Sequence, residues 1–179
     1  MKSVFQTTLA AVVLSTAAFT AVATAATVAP MTAPEFTGIQ QWLNSEPLTM
    51  RQLRGKVVLV DFWTYTCINC IRTLPYVKSW HEKYKDQGLV VVGVHTPEYP
   101  FERSTDNVKT AIKRFGITYP VAQDNKYATW SAYNNQYWPA FYLIDKQGKV
   151  VYQHFGEGEY AATEAKIRTL LAEPAVMPQ

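Results

Sequence analysis

The sequence predicts an α/β domain with a central mixed β-sheet flanked by helices. Short valine-rich runs alternate with amphipathic stretches of helical period. Glycines punctuate the junctions between them. Near the end, two apolar runs flank a tight-turn tetrapeptide.

Residues 27–35 read as a flexible lead-in, because Pro30 and Pro34 block regular structure. Lys56 to Trp63 is an apolar, valine-rich run and is expected to be a buried strand. From Cys67 to about Asp86, the residues Ile71, Leu74, Val77, Trp80 and Tyr84 recur at helical spacing, and Gly88 stops the helix. Leu89 to His95 is a second buried strand. Thr105 is expected to cap a helix that turns Val108, Ala111, Ile112 and Phe115 to one face and ends at Gly116. Ala140–Ile144 and Lys149–Phe155 are strands joined by Asp145-Lys-Gln-Gly148, and a last helix runs from about Tyr160 to Leu171. The domain is expected over 36–172, with a tail over 173–179.

The composition excludes several classes of function. The chain has 179 residues, 48% hydrophobic and 17% charged, enough to bury one core. Its net charge of +3 comes from basic residues scattered singly, whereas a nucleic-acid protein concentrates them. Cys67 and Cys70 are the only cysteines, so neither a multi-disulfide scaffold nor a four-cysteine zinc site is available. Residues 1–25 combine Lys2, an apolar run from Leu9 to Val22 and the small-residue exit Ala23-Thr-Ala25. That order reads as a cleaved signal peptide, with an uncleaved membrane anchor as the alternative. Export to a bacterial periplasm follows, where disulfides persist.

Cys67-Ile-Asn-Cys70 follows a buried strand and opens a helix. Free amides and the macrodipole at a helix N-terminus favour a thiolate, making Cys67 the attacking nucleophile. Cys70, nearly one turn on, is placed to resolve a mixed disulfide and should be the more buried sulfur. An inert structural bridge is the alternative, but closing so short a loop gains only about 2 kcal/mol. A metal site is another, but His81, His95 and His154 show no ligand spacing to the pair. Strand alternation places Asp61 with Val57, Leu59 and Trp63 on one face, a desolvated position that raises its pKa and suits it to take a proton from Cys70. An acid at a polar edge, or satisfied by backbone, is the other reading. Pro139, ahead of a strand, signals a turn into an edge strand, and on residue physics alone cis is the minority isomer of its peptide bond.

These residues resemble a known family. Val60-Asp-Phe-Trp-Thr-Tyr-Thr-Cys-Ile-Asn-Cys70 resembles the thioredoxin active-site segment, with Pro75 five residues past the second cysteine. Trp138-Pro139 before Ala140–Asp145, and the Gly148 turn, are similar to its cis-proline strand and terminal hairpin. Leu53–Val60 resembles the exported TlpA/ResA group, while Trp63–Cys70 and Val94-His-Thr-Pro-Glu98 are most like the thioredoxin-like part of DipZ proteins. No long apolar span follows the signal, so the DipZ membrane portion is expected to be absent.

The resemblance implies a thioredoxin-like fold and a thiol–disulfide oxidoreductase acting on protein substrates. Cys67 would be the nucleophile, Cys70 the resolving thiol and Asp61 the buried acid. Trp63 would pack beside the pair, Pro139 would be the cis-proline opposite it, and the Trp138 backbone would pair with an extended substrate. The implied role is a reductant, a monomer fed by a membrane electron carrier of the DsbD/CcdA type, in cytochrome c maturation or thiol rescue. No cofactor, metal or nucleic acid is expected. Ile68-Asn69 replaces the Gly-Pro of ordinary thioredoxins, so redox direction does not transfer. His95 and Glu98 read either as the active-site rim or, for His95, as a satisfied structural histidine. Tyr99 and Phe101 could contact a partner, whereas the aromatics from Tyr127 to Trp138 read mainly as core. Two other functions stay open: a thiol peroxidase, since Thr64-x-x-Cys67 matches the end of the peroxiredoxin motif, and a copper-handling binding module.

Overall fold

The computed structural model describes residues 31–174. The expected signal peptide, the start of the lead-in and most of the tail lie outside the described residues.

The fold is organised on β3 (Val57–Trp63), whose seven residues are all buried. A strand covered on both faces needs such a near-continuous apolar run. It pairs in parallel with β4 (Leu89–His95), Val57 opposite Leu89 and Trp63 opposite His95. On its other side it pairs antiparallel with β6 (Ala140–Ile144). The mixed sheet extends past β6 to β7 (Lys149–Phe155) and β1 (Met31–Thr32), and past β4 to β5 (Val121–Gln123) and β2 (Gln41–Leu43).

Alternation along β3 sorts two cores. Val57, Leu59 and Trp63 pack with Cys70, Leu74, Val77 and Trp80 of α1 (Ile68–Tyr84) and with Ile167 and Leu170 of α4 (Tyr160–Ala172). Val58, Val60 and Phe62 face Met50, Leu53 and Tyr133 on the opposite side. The helix α2 (Thr105–Phe115) ends at Gly116 in the left-handed region, and the short α3 (Ala128–Ala132) precedes the β6 strand. Among the described residues, no helix is long and apolar enough to cross a membrane.

Three expectations change. The segment read as a flexible lead-in is tied to the sheet from Met31 onward: Met31 pairs with Val150, and the Ala33 N–H donates to the Gly148 carbonyl at 2.9 Å. The Glu35 carboxylate then accepts from the Met50 and Arg51 amides. Ser104, not Thr105, caps α2, accepting from the Asn107 amide, while the Thr105 hydroxyl donates to Gln123. Pro139 does not lead into an edge strand, since β6 lies between β7 and β3. It stands one residue ahead of the ladder, where a missing N–H removes no strand pairing.

Close approach explains one glycine. A Cβ on Gly93, opposite Asp61 on β4, would meet Trp63 Nε1 at 2.9 Å and Tyr119 Cε2 at 3.1 Å. Gly93→Ala should therefore destabilise the fold by about 1–3 kcal/mol in urea unfolding, through overpacking against two rigid rings. An unchanged midpoint would contradict this close approach.

Candidate active site

Four residues after the end of β3, Cys67 becomes the N-cap of α1, and its sulfur accepts from the Cys70 amide at 3.1 Å. The two cysteines form a disulfide with Cα atoms 5.2 Å apart. Cys67 is half-buried and Cys70 is fully buried, the asymmetry expected of an attacking and a resolving sulfur. The site therefore opens to solvent at Cys67, where the helix N-terminus favours negative charge.

Asp61 lies on the β3 face that carries Leu59 and Trp63, the face that packs in one core cluster with Cys70 of α1. It is completely buried, and neither carboxyl oxygen has a hydrogen-bond partner among the described residues. Burial disfavours the charged form and pushes its pKa up to about 8. Trp63 Nε1 and the Tyr119 hydroxyl are also buried without a hydrogen-bond partner among the described residues. Burial, and then the Asp61 charge, push the Tyr119 phenol well above its ordinary value.

The Trp138–Pro139 peptide is cis, and Ala140 next to it pairs with Phe62 of β3. Pro139 thus sits at the same end of the sheet as Cys67. Trp138 is half-buried and packs on the core cluster that Cys67 also touches. Its indole N–H donates to the Thr96 carbonyl at 3.0 Å, and its ring lies 4.2 Å from that of Trp130.

His95 lies inside the protein rather than on the rim. Its Nε2 is 3.2 Å from the Thr64 hydroxyl, its Nδ1 is unpartnered, and Tyr65 stacks on the ring. Burial lowers its pKa to about 4, so the ring is neutral. Glu98 is exposed, as are Tyr99 and Phe101, whose rings stack 5.6 Å apart. Of the aromatics between Tyr127 and Trp138, Tyr133 is buried and Tyr137 is exposed. Sequence reasoning missed Tyr119 and Glu102. The signal for Glu102 was local: Pro100 followed two residues later by a glutamate marks a helix start, here a 3-10 turn over Pro100–Arg103.

A half-exposed sulfur at a helix N-terminus, a buried partner sulfur and a desolvated acid define a thiol–disulfide exchange site on a thioredoxin-like fold. The Redoxin family model matches residues 29–171, and the chain belongs to that family. It is 54% identical over 154 residues to the protein DipZ of Mycobacterium bovis, a match covering 83% of this chain and 22% of the relative. The chain thus spans about a fifth of that relative's length. It is 36% identical to the thiol-disulfide oxidoreductase YkuV of Bacillus subtilis, covering 78% of this chain and 94% of the relative. The crystal structure of a thioredoxin-like superfamily protein superimposes with a TM-score of 0.76 at 32% identity, covering 82% of this chain and 99% of the other.

The buried acid has a consequence for stability. Asp61 keeps its proton in the fold up to about pH 8, whereas in the unfolded chain it ionises near 3.9. Its contribution is fully present below about pH 4 and is lost as pH rises toward 8. Asp61→Asn has no such titration. In urea unfolding of the oxidised protein, the variant should gain on the wild type by a few kcal/mol over that window, at most about 1.4 per pH unit. A difference that stays flat with pH would contradict the desolvated acid.

Proposed function

We propose that this protein is an exported thiol–disulfide oxidoreductase that reduces disulfides of protein substrates in the periplasm. The observation that carries the reading is the asymmetric pair, Cys67 half-exposed at the helix N-terminus and Cys70 buried against the β3 face that carries an unpartnered Asp61. In the reduced protein, the Cys67 thiolate attacks a substrate disulfide. A Cys67–substrate bond forms, and the first substrate sulfur leaves and takes a proton. The ionised form of Asp61 then takes the proton of Cys70 as its sulfur attacks Cys67 Sγ. The mixed disulfide breaks, the second substrate thiol is released, and the protein is left with its Cys67–Cys70 bond. Two electrons have passed to the substrate, and its two protons come one from solvent, matching the one Cys67 lost on ionising, and one from Cys70 by way of Asp61.

Asp61 suits the proton step because its pKa of about 8 lies close to that of a thiol. The Trp138 backbone, held by the cis peptide at the same sheet end, is placed to pair with an extended substrate segment. Trp63, fully buried on the Asp61 face, keeps water from the acid. Re-reduction requires an electron donor, and a membrane carrier of the DsbD/CcdA type meets that need on the periplasmic side. The relatives named as thiol-disulfide oxidoreductases support the exchange chemistry. A peroxidase role is less well supported. The threonine on which it rests, Thr64, is fully buried and bonded to His95 instead of facing Cys67.

The reduced protein, supplied with dithiothreitol, should cleave insulin disulfides. Cys67→Ser should abolish the activity, and Cys70→Ser should accumulate a mixed disulfide visible on non-reducing gels. Asp61→Asn should slow resolution by about 100-fold near neutral pH, the usual contribution of one acid–base group. Insulin cleavage that survives Cys67→Ser, or resolution unchanged in Asp61→Asn, would sink this mechanism.

A further inference from the structure

Three acids are fully buried among the described residues: Asp61, Asp124 and Glu102. Asp61 belongs to the exchange mechanism. Asp124 holds the start of α3, accepting from the Ala128 and Trp130 amides. Glu102 does neither.

Its two oxygens join the loop after β4 to the residue just before the nucleophile. Oε1 accepts from the Thr66 hydroxyl at 2.5 Å and from the Thr66 amide at 3.3 Å. Oε2 accepts from the Glu98 amide at 2.6 Å and the Tyr99 amide at 3.0 Å. All four contacts come from donors, an arrangement that suits an ionised carboxylate, which accepts at both oxygens and donates at neither. Burial pushes the Glu102 pKa up, but the bonds from Thr66, Tyr99, Thr64 and Glu98 outweigh it and hold the group below the usual carboxylate value.

We propose that Glu102 is a positioning residue that fixes the Thr66–Cys67 junction and sets a permanent negative charge beside the nucleophile, disfavouring the Cys67 thiolate and making the pair more reducing. The inference rests on the exchange reading above. The helix N-terminus stabilises a thiolate at Cys67, and a fixed carboxylate one residue away opposes it. That opposition is strong because little solvent screens a buried charge. Of the other ionisable groups around it, Arg103 on the same 3-10 turn is exposed and the Tyr127 phenol is raised by burial. Asp61 on β3 holds its proton up to about pH 8, and His95 on β4 is neutral. Tyr65 bonds the Phe101 carbonyl and has its phenol raised by burial. Glu98 is exposed, and Arg72 on α1 is exposed and paired with Glu157 at 3.2 Å. A thiol of higher pKa is a stronger nucleophile once ionised and a poorer leaving group, and both favour giving electrons.

The test is the pH dependence of iodoacetamide alkylation at the exposed Cys67 of the reduced, full-length protein. Glu102→Gln should lower the midpoint by on the order of one pH unit, about tenfold more thiolate at a given pH below it. Glu102→Asp keeps the charge and should stay near the wild type, although both variants lose thermal stability. If the two variants shift alike, or neither shifts, Glu102 only props the loop and the inference is overturned. Should Glu102→Gln fail to fold, the wild-type midpoint decides. A value above the about 7 of thioredoxin supports the inference, and one at or below it overturns it. Insulin cleavage by the wild type is measured separately, so failure to cycle would sink the exchange reading, whereas an unmoved midpoint would sink only this inference.

Discussion

Asp61 carries both carboxyl oxygens unpartnered on a strand whose every residue is buried, and such a group is tolerated only while it keeps its proton. The rest of the site is arranged around that constraint. The β3 strand must be central, because only a strand covered on both faces desolvates its side chains so fully. Its end must deliver the chain into α1 within a few residues, so that Cys70 comes to lie in the same core cluster as Leu59 and Trp63. Gly93, opposite Asp61 on β4, must lack a side chain, because Trp63 and Tyr119 pack where its Cβ would stand.

Two carboxyl groups therefore bracket one disulfide in different states. Asp61 has no partner and is mostly protonated below about pH 8, and the ionised fraction present near neutral pH is the form that receives a proton from Cys70. Glu102, beside Thr66, has four donors and stays charged. Environment alone separates two groups of the same chemistry into an acid–base partner and a fixed charge. The Glu102 charge acts against accumulation of thiolate at Cys67, whereas the helix N-terminus acts for it. On this account the balance lies toward a reductant.

Much of this was legible in the amino-acid sequence. The runs 57–63, 89–95, 140–144 and 149–155 are long and valine-rich or turn-bounded, so they declare themselves as strands. Asp61 stands out as a charge within an apolar run, and alternation places it on the face of Leu59 and Trp63. The edges were not legible: β1, β2 and β5 are three residues or shorter, too short for any period to register, and form because the ladder beside them is already in place. Ser104 and Thr105 are both good caps, and only the backbone geometry chooses between them. Residue physics made cis the minority isomer of the Trp138–Pro139 peptide; the family resemblance implied cis, and the structure has it cis. Glu102 was missed for a different reason. The local pattern marks it only as a helix-start residue bonded to the Glu98 and Tyr99 amides, whereas its link to Thr66 spans 36 residues of sequence.

The measurement that bears most directly on the account is the reduction potential of the Cys67–Cys70 pair, by equilibration in thiol buffers at neutral pH. A pair whose nucleophile has the Glu102 charge beside it should lie near the thioredoxin value of about −270 mV, as the proposed reductant role requires. A value near −120 mV would mean that the reduced form is strongly stabilised, make the protein a disulfide donor and contradict the account.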